Sequence, residues 1–157
     1  MSELRLTSNV VPIVYDLQIW PNLETFVFHG HVTITVHVKV PVKQVILHAS
    51  NLAVTHASIN NCVVGWELAA RELLVLTPKI KLPVGTHMIT ISYQGYHTDD
   101  LIGFFRTKTG AKNKDGSVQY ALVTQFAYRD SHIWLFTSEI EAGVIRREIR
   151  FFMFIPF

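Results

Sequence analysis

His29, His31 and His37 are the first residues in the chain whose type and spacing could do chemistry. On a β-strand, residues two apart point to the same face. The rings of His29 and His31 could therefore converge on a metal ion, with a third ligand from a neighbouring strand. The alternative is a row of polar residues on a solvent-facing strand surface. A zinc site takes three or four ligands, and no further ligand spacing points to this strand, which favours the second reading. Asp99 and Asp100 are adjacent carboxylates ahead of Leu101. Such a pair could hold a cation or move a proton, but adjacent loop carboxylates are more simply solvated. Cys62 follows Asn60-Asn61, and Ser131 precedes His132. Neither lies in a Gly-x-Ser-x-Gly elbow, so neither reads as an activated nucleophile. No Walker-type or Gly-x-Gly-x-x-Gly loop is present, so nucleotide binding has no support.

The elements that must position these residues are strands. From Thr25 to Val40 the even positions carry Phe26, Phe28, Gly30, Val32, Ile34, Val36, Val38 and Val40. The odd positions carry mostly Thr, His and Lys. One apolar and one polar face over that length specify a half-buried antiparallel strand. Gly30 suggests a bulge or bend midway. Tyr15, Leu17 and Ile19 alternate with Asp16 and Gln18 before a turn at Trp20-Pro21-Asn22. Residues 44–48 and 54–59 read as further strands, the latter ending in an Asn60-Asn61 turn. Residues 63–68 and 72–77 suit a hairpin, and Lys81-Leu82-Pro83-Val84-Gly85 suits a loop. Ile89, Ile91 and Tyr93 alternate with Thr90 and Ser92, and residues 104–107 and 118–126 flank a polar hairpin loop. Eight or nine short strands with regular turn signals predict an all-β fold, an antiparallel sandwich or saddle. The tail differs. Ser138 to Glu141 has capping-box spacing, Glu139 and Glu141 suit a helix start, and Ile140, Val144, Ile145 and Ile149 could line a helical face. Residues 151–157 form an apolar run that, as a strand, would want a partner.

A chain of 157 residues suits one domain with an ample core. Hydrophobic residues at 49% against 17% charged exclude a disordered chain. The same balance leaves room for a surface covered by a partner or a further domain. The net charge is +2. Its densest positive spot, Lys108, Lys112 and Lys114, reads as a solvated hairpin tip. No aromatic residues interleave there as a nucleic-acid platform would need. The single cysteine excludes an internal disulfide. The opening Met1-Ser2-Glu3-Leu4-Arg5 is polar and unlike a signal peptide, and no apolar run approaches the ~20 residues of a membrane span. These features predict a reducing, cytoplasmic location without a membrane span.

One resemblance organises the whole. Gly103-Phe104-Phe105-Arg106, Asp115-Gly116, Tyr120-Ala121 and Thr124-Gln125-Phe126 follow Arg5-Leu6, Val11-Pro12, Tyr15-Asp16-Leu17, Pro21, Leu23, Phe28, Gly30 and Val32. Between them stand Val45-Ile46-Leu47-His48 and Leu52. In order and spacing these resemble the N-terminal β-domain of zinc aminopeptidases of the aminopeptidase N and puromycin-sensitive type, over the first 126 residues. The resemblance implies that Gln125 contacts substrate when a catalytic domain is present. It also implies that zinc comes from a His-Glu-x-x-His helix in that other domain. This chain has no such motif and, by that implication, no metal ligands or cofactor of its own. After Phe126 the likeness breaks: Ala127 stands where the family has a Glu that binds the substrate α-amino group. Asp130 echoes the family's Asp, and residues 148–156 resemble a degraded next strand.

The expected organisation is an aminopeptidase N-like domain over 1–126 and a divergent tail over 127–157. The expected function is that of a non-catalytic N-terminal domain, truncated before the catalytic domain of an enzyme that removes N-terminal amino acids from peptides. The alternative is a stand-alone protein-binding or regulatory module derived from it. A splice or gene-model origin for the tail is a third reading. Expected partners are a catalytic domain or another protein at the Gln125/Phe126 end, with self-association through the apolar tail. No nucleic-acid partner is expected.

Overall fold

Strict alternation builds the centre of the molecule. The computed structural model describes residues 9–22, 24–70, 72–97, 99, 103–125 and 148–153. Among the described residues the strands are β1 (Val10–Pro21), β2 (Val27–Val38), β3 (Val45–His48), β4 (Leu52–Ile59), β5 (Cys62–Val63), β6 (Gly65–Ala69), β7 (Leu73–Thr77), β8 (Gly85–Tyr96), β9 (Gly103–Lys112), β10 (Val118–Gln125) and β11 (Glu148–Met153). A six-stranded sheet has the order β11-β1-β2-β8-β4-β5 and a three-stranded sheet the order β3-β7-β6; β9 and β10 form a separate hairpin.

The two larger sheets share one core. Leu17, Ile19, Phe28, Val32, Ile34, Ile89, Ile91 and Tyr93 from the first pack with Val45, Leu47, Leu74 and Leu76 from the second. On β2 every even residue from Phe28 to Val38 is buried. The side-chain period of two therefore fixes register as well as face. Each aliphatic side chain sealed in this way contributes roughly 1.5–3 kcal/mol.

The expected break at Gly30 is absent. β2 pairs with β8 in continuous register from Val27↔Tyr96 to Val38↔Gly85, and Gly30 lies opposite Tyr93. The glycine is there because the Tyr93 ring lies over it: a Cβ built on Gly30 overlaps ring carbons Cε2 and Cζ. The same arrangement recurs in reverse at Gly95, which faces Phe28 on β2. In the six-stranded sheet the irregularities fall at Pro12/Val14 on β1 and at Val54/His56 on β4, and the hairpin has one at Val118/Tyr120 on β10. Pro12 has no N–H to give the ladder. On β4 the inserted Thr55 donates its hydroxyl to the Ser92 carbonyl at 3.1 Å.

The tail joins the main sheet. β11 pairs with β1 in parallel, Val14↔Glu148 to Ile19↔Met153. Ile149, expected on a helical face, is thus a strand residue opposite Tyr15, and residues 151–153 of the apolar run lie opposite Leu17, Gln18 and Ile19 of β1. The other residues of the expected helix lie outside the described residues.

Candidate functional site

β2 begins and β8 ends beside the hairpin, and side chains flanking both strands meet those of the hairpin there. Phe26, just before β2, has φ 56°, a conformation that a bulky side chain adopts only when its surroundings impose it. Its carbonyl accepts the His97 amide at 2.8 Å. Its ring meets Tyr120 of β10 edge-on at 5.2 Å. Arg106 of β9 lies over the Phe26 ring, 4.0 Å from guanidinium carbon to centroid, and 5.2 Å from that of Tyr120. The cation is held flat by Asp99, with Nε to Oδ1 at 2.7 Å and Nη2 to Oδ2 at 3.0 Å. A guanidinium clamped in two planes this way is a positioning device. It fixes the hairpin against the sheet, helped by buried Phe105 and by Leu122 packed on the core.

The hairpin runs from this joint in both directions. Asp115 closes its turn by accepting from the Ser117 amide and hydroxyl at 2.9 and 2.6 Å, and the Ser117 hydroxyl bond holds that carboxyl below its usual range. Lys108, Lys112 and Lys114 are exposed on this arm. At the other end Gln125 is the last residue of β10, opposite Gly103 at the start of β9. Phe126 lies outside the described residues.

Asp99 is thus committed to Arg106, whose hydrogen bond lowers the Asp99 carboxyl below its ordinary value; Asp100 lies outside the described residues. The three histidines of β2 are on the outer face of the six-stranded sheet. His31 Nδ1 is 3.0 Å from the Ser92 hydroxyl. His29 sits between Trp20 and Gln94, and His37 between Val11 and Thr86. None of these cross-strand neighbours is a His, Cys, Asp or Glu. No group of three or more such residues that could hold a metal ion occurs among the described residues. Ser131 and His132 lie outside the described residues, and Cys62 is exposed and free.

His97 is the residue that sequence reasoning missed. It is buried, its ring 5.2 Å from that of Phe28. Burial lowers its pKa; a backbone hydrogen bond at Phe26 opposes this, and the Arg106 charge adds to the lowering. The unfolded chain therefore binds a proton that the folded chain resists, so stability rises with pH across the interval. The contribution is complete above the ordinary histidine pKa and is lost as pH falls from there toward the lowered value. Urea unfolding followed between about pH 7 and pH 5 is expected to show this slope, and His97→Phe to flatten it. Asp99 acts in a separate window, its contribution lost only as pH falls through the carboxylate range.

The family model of the peptidase M1 N-terminal domain matches residues 11–135. The chain belongs to that family. It is 32% identical over 133 residues to Aminopeptidase M1-C of Oryza sativa subsp. japonica, covering 82% of this chain and 15% of that protein. It is 30% identical over 132 residues to the mitochondrial Aminopeptidase 2 of Saccharomyces cerevisiae, covering 80% of this chain and 14% of that protein. It is 27% identical over 136 residues to human Endoplasmic reticulum aminopeptidase 1, again covering 80% and 14%. The matched stretch of this chain thus spans about one-seventh of the length of these relatives. The Phe26–Arg106–Tyr120 joint ties the hairpin that ends in Gln125 to the segment just before β2.

Proposed function

We propose that this chain acts as the non-catalytic N-terminal domain of an M1 aminopeptidase relative, whose full-length parent removes amino acids from peptide N-termini. The observation that carries the reading is the family match over residues 11–135, set against relatives named aminopeptidases of which the chain covers about 15%. In such a parent, Gln125 would stand at the edge of the substrate cleft and contact the peptide. The described residues do not fit a zinc site, so no hydrolytic step is assigned to this chain's own side chains. Its work is positional: the hairpin is pinned at Arg106 so that the end of β10 reaches a neighbouring catalytic domain at a fixed place.

The purified chain is expected to hold no stoichiometric zinc and to leave aminoacyl-amide fluorogenic substrates uncleaved. Zinc at one per chain together with turnover would overturn the proposal. Fused to the catalytic part of a relative, the domain is expected to support cleavage. There Gln125→Ala should lower kcat/KM by roughly tenfold, the loss of about one substrate hydrogen bond.

A further inference from the structure

The pole of the sandwich opposite the hairpin carries a cationic, aliphatic tip. Two segments cross between the sheets there: 39–44 joins β2 to β3, and 78–84 joins β7 to β8. They are tied by a pair of backbone bonds, Val42 N–H to the Leu82 carbonyl at 3.1 Å and Leu82 N–H to the Val42 carbonyl at 2.9 Å. Leu82 is buried beneath the bridge. Pro83 is held in addition, since its carbonyl lies 2.9 Å from Nε2 of buried His87.

What these anchored loops present is Lys39, Lys43, Lys79 and Lys81, all exposed, around Val40, Ile80 and Val84. The three aliphatic residues are 47%, 81% and 56% exposed. No Asp or Glu occurs from Thr25 to Trp66 or from Leu73 to Thr98. Among the described residues none of the four lysines is in an ion pair or a side-chain hydrogen bond. Among the described residues, positive charge therefore goes uncompensated at this pole, and it surrounds Ile80, the most exposed of their large hydrophobic side chains.

A partner that answers both features must be anionic at its surface and apolar just beneath. A nucleic acid supplies phosphates but no apolar phase for Ile80. A bilayer with anionic headgroups supplies both: the aliphatic tips enter the headgroup–acyl boundary, and the lysine stems lie along it with their ammonium groups at the phosphates. We propose that this pole is a peripheral docking surface for an anionic lipid bilayer.

The test is co-sedimentation of the full chain with phosphatidylcholine vesicles and with vesicles that also contain phosphatidylserine. Binding is expected to the second kind only, and to weaken as salt is raised. Each lysine at an anionic surface contributes about fivefold in affinity. Lys79→Gln with Lys81→Gln should therefore weaken binding roughly 25-fold. Ile80→Asp should remove it. Lys108→Gln with Lys112→Gln, on the hairpin that follows the far end of β8, should leave it unchanged. Circular dichroism and melting confirm that each exposed-site variant stays folded. Equal binding to both vesicle types overturns the proposal. So does vesicle binding that is indifferent to the Lys79, Lys81 and Ile80 changes, or binding to a DNA duplex without binding to vesicles.

Discussion

Gly30→Ala is expected to destabilise the domain by about 2–3 kcal/mol, at the upper end of what overpacking a core costs. The added Cβ overlaps the Tyr93 ring at Cε2 and Cζ and comes within 2.7 Å of its hydroxyl oxygen. Tyr93 cannot yield easily. It is fully buried, its ring is 6.4 Å from that of Phe28 at near right angles, and burial pushes its phenol far above the ordinary value. The neighbouring backbone is no softer, since Gly30 sits in mid-ladder with β1 on one side and β8 on the other. Gly65→Ala is the matched control: its nearest atom is a backbone oxygen at 3.9 Å, and it should change stability by less than about 0.5 kcal/mol. The mechanism has its own signature in a double-mutant cycle. Tyr93→Leu alone should cost roughly 3 kcal/mol through the cavity it opens, but Gly30→Ala added to it should cost little. Urea unfolding of the four proteins decides the matter. Additive losses would show that the ring is not the obstacle.

The same glycine shows why the strands were legible in the sequence and their irregularities were not. Alternation along β2 and β8 is a local property, and it places Phe28, Val32, Ile34, Ile89 and Ile91 inside without knowledge of any neighbour. A glycine in such a run signals only that a side chain is unwanted. Whether the cause is a bend in its own strand or a ring on the next depends on the pairing register, and Gly30↔Tyr93 is 63 positions away in sequence, counting from 30 to 93. The tail teaches a related lesson. Ile149 fits a helical face by spacing, but β1 offers an open edge at Val14–Ile19, and ladder hydrogen bonds outweigh a helix weakened by glycine.

The candidate site divides in the same way. The run Gly103 to Gln125 is contiguous and could be read as a hairpin leading to Gln125. The joint that aims it is not contiguous. Phe26, His97, Asp99, Arg106 and Tyr120 come from four separate stretches, and each is ordinary where it stands. The lysine pole is more scattered still. Lys39 and Lys43 lie some forty residues from Lys79 and Lys81, whereas Lys108, Lys112 and Lys114 crowd one turn and draw attention in a linear reading. Two sheet crossings at one end of a sandwich turn two unremarkable pairs into one patch.

Asn60→Ala should show how firmly that end is built, at a cost of about 2–4 kcal/mol. Asn60 follows β4 with φ 50°, and its backbone N–H donates to the Met88 carbonyl at 2.8 Å. Its side chain works twice more. Oδ1 accepts the Met88 amide at 2.9 Å, which turns Nδ2 toward His87 Nδ1, also at 2.9 Å. Nδ1 then acts as the acceptor, so the ring proton is on Nε2 and is donated to the Pro83 carbonyl. Every donor in the chain of contacts faces an acceptor, and only an amide at position 60 completes it. Alanine leaves the inward-facing His87 nitrogen without its donor, leaves the Met88 amide to find water, and places a Cβ at a left-handed φ. Asn60→Gly removes the same amide but tolerates the backbone, so it should recover about 1 kcal/mol of the loss. The difference between the two variants isolates the backbone part, and what remains isolates the amide. The amide part should be visible locally as faster hydrogen exchange at Met88 and earlier proteolysis within residues 78–84, because His87 then holds Pro83 less firmly. If both variants unfold like the wild type in urea and exchange at Met88 is unchanged, the Asn60–His87–Pro83 chain contributes nothing to holding the loop, and the Val42–Leu82 bridge holds it alone.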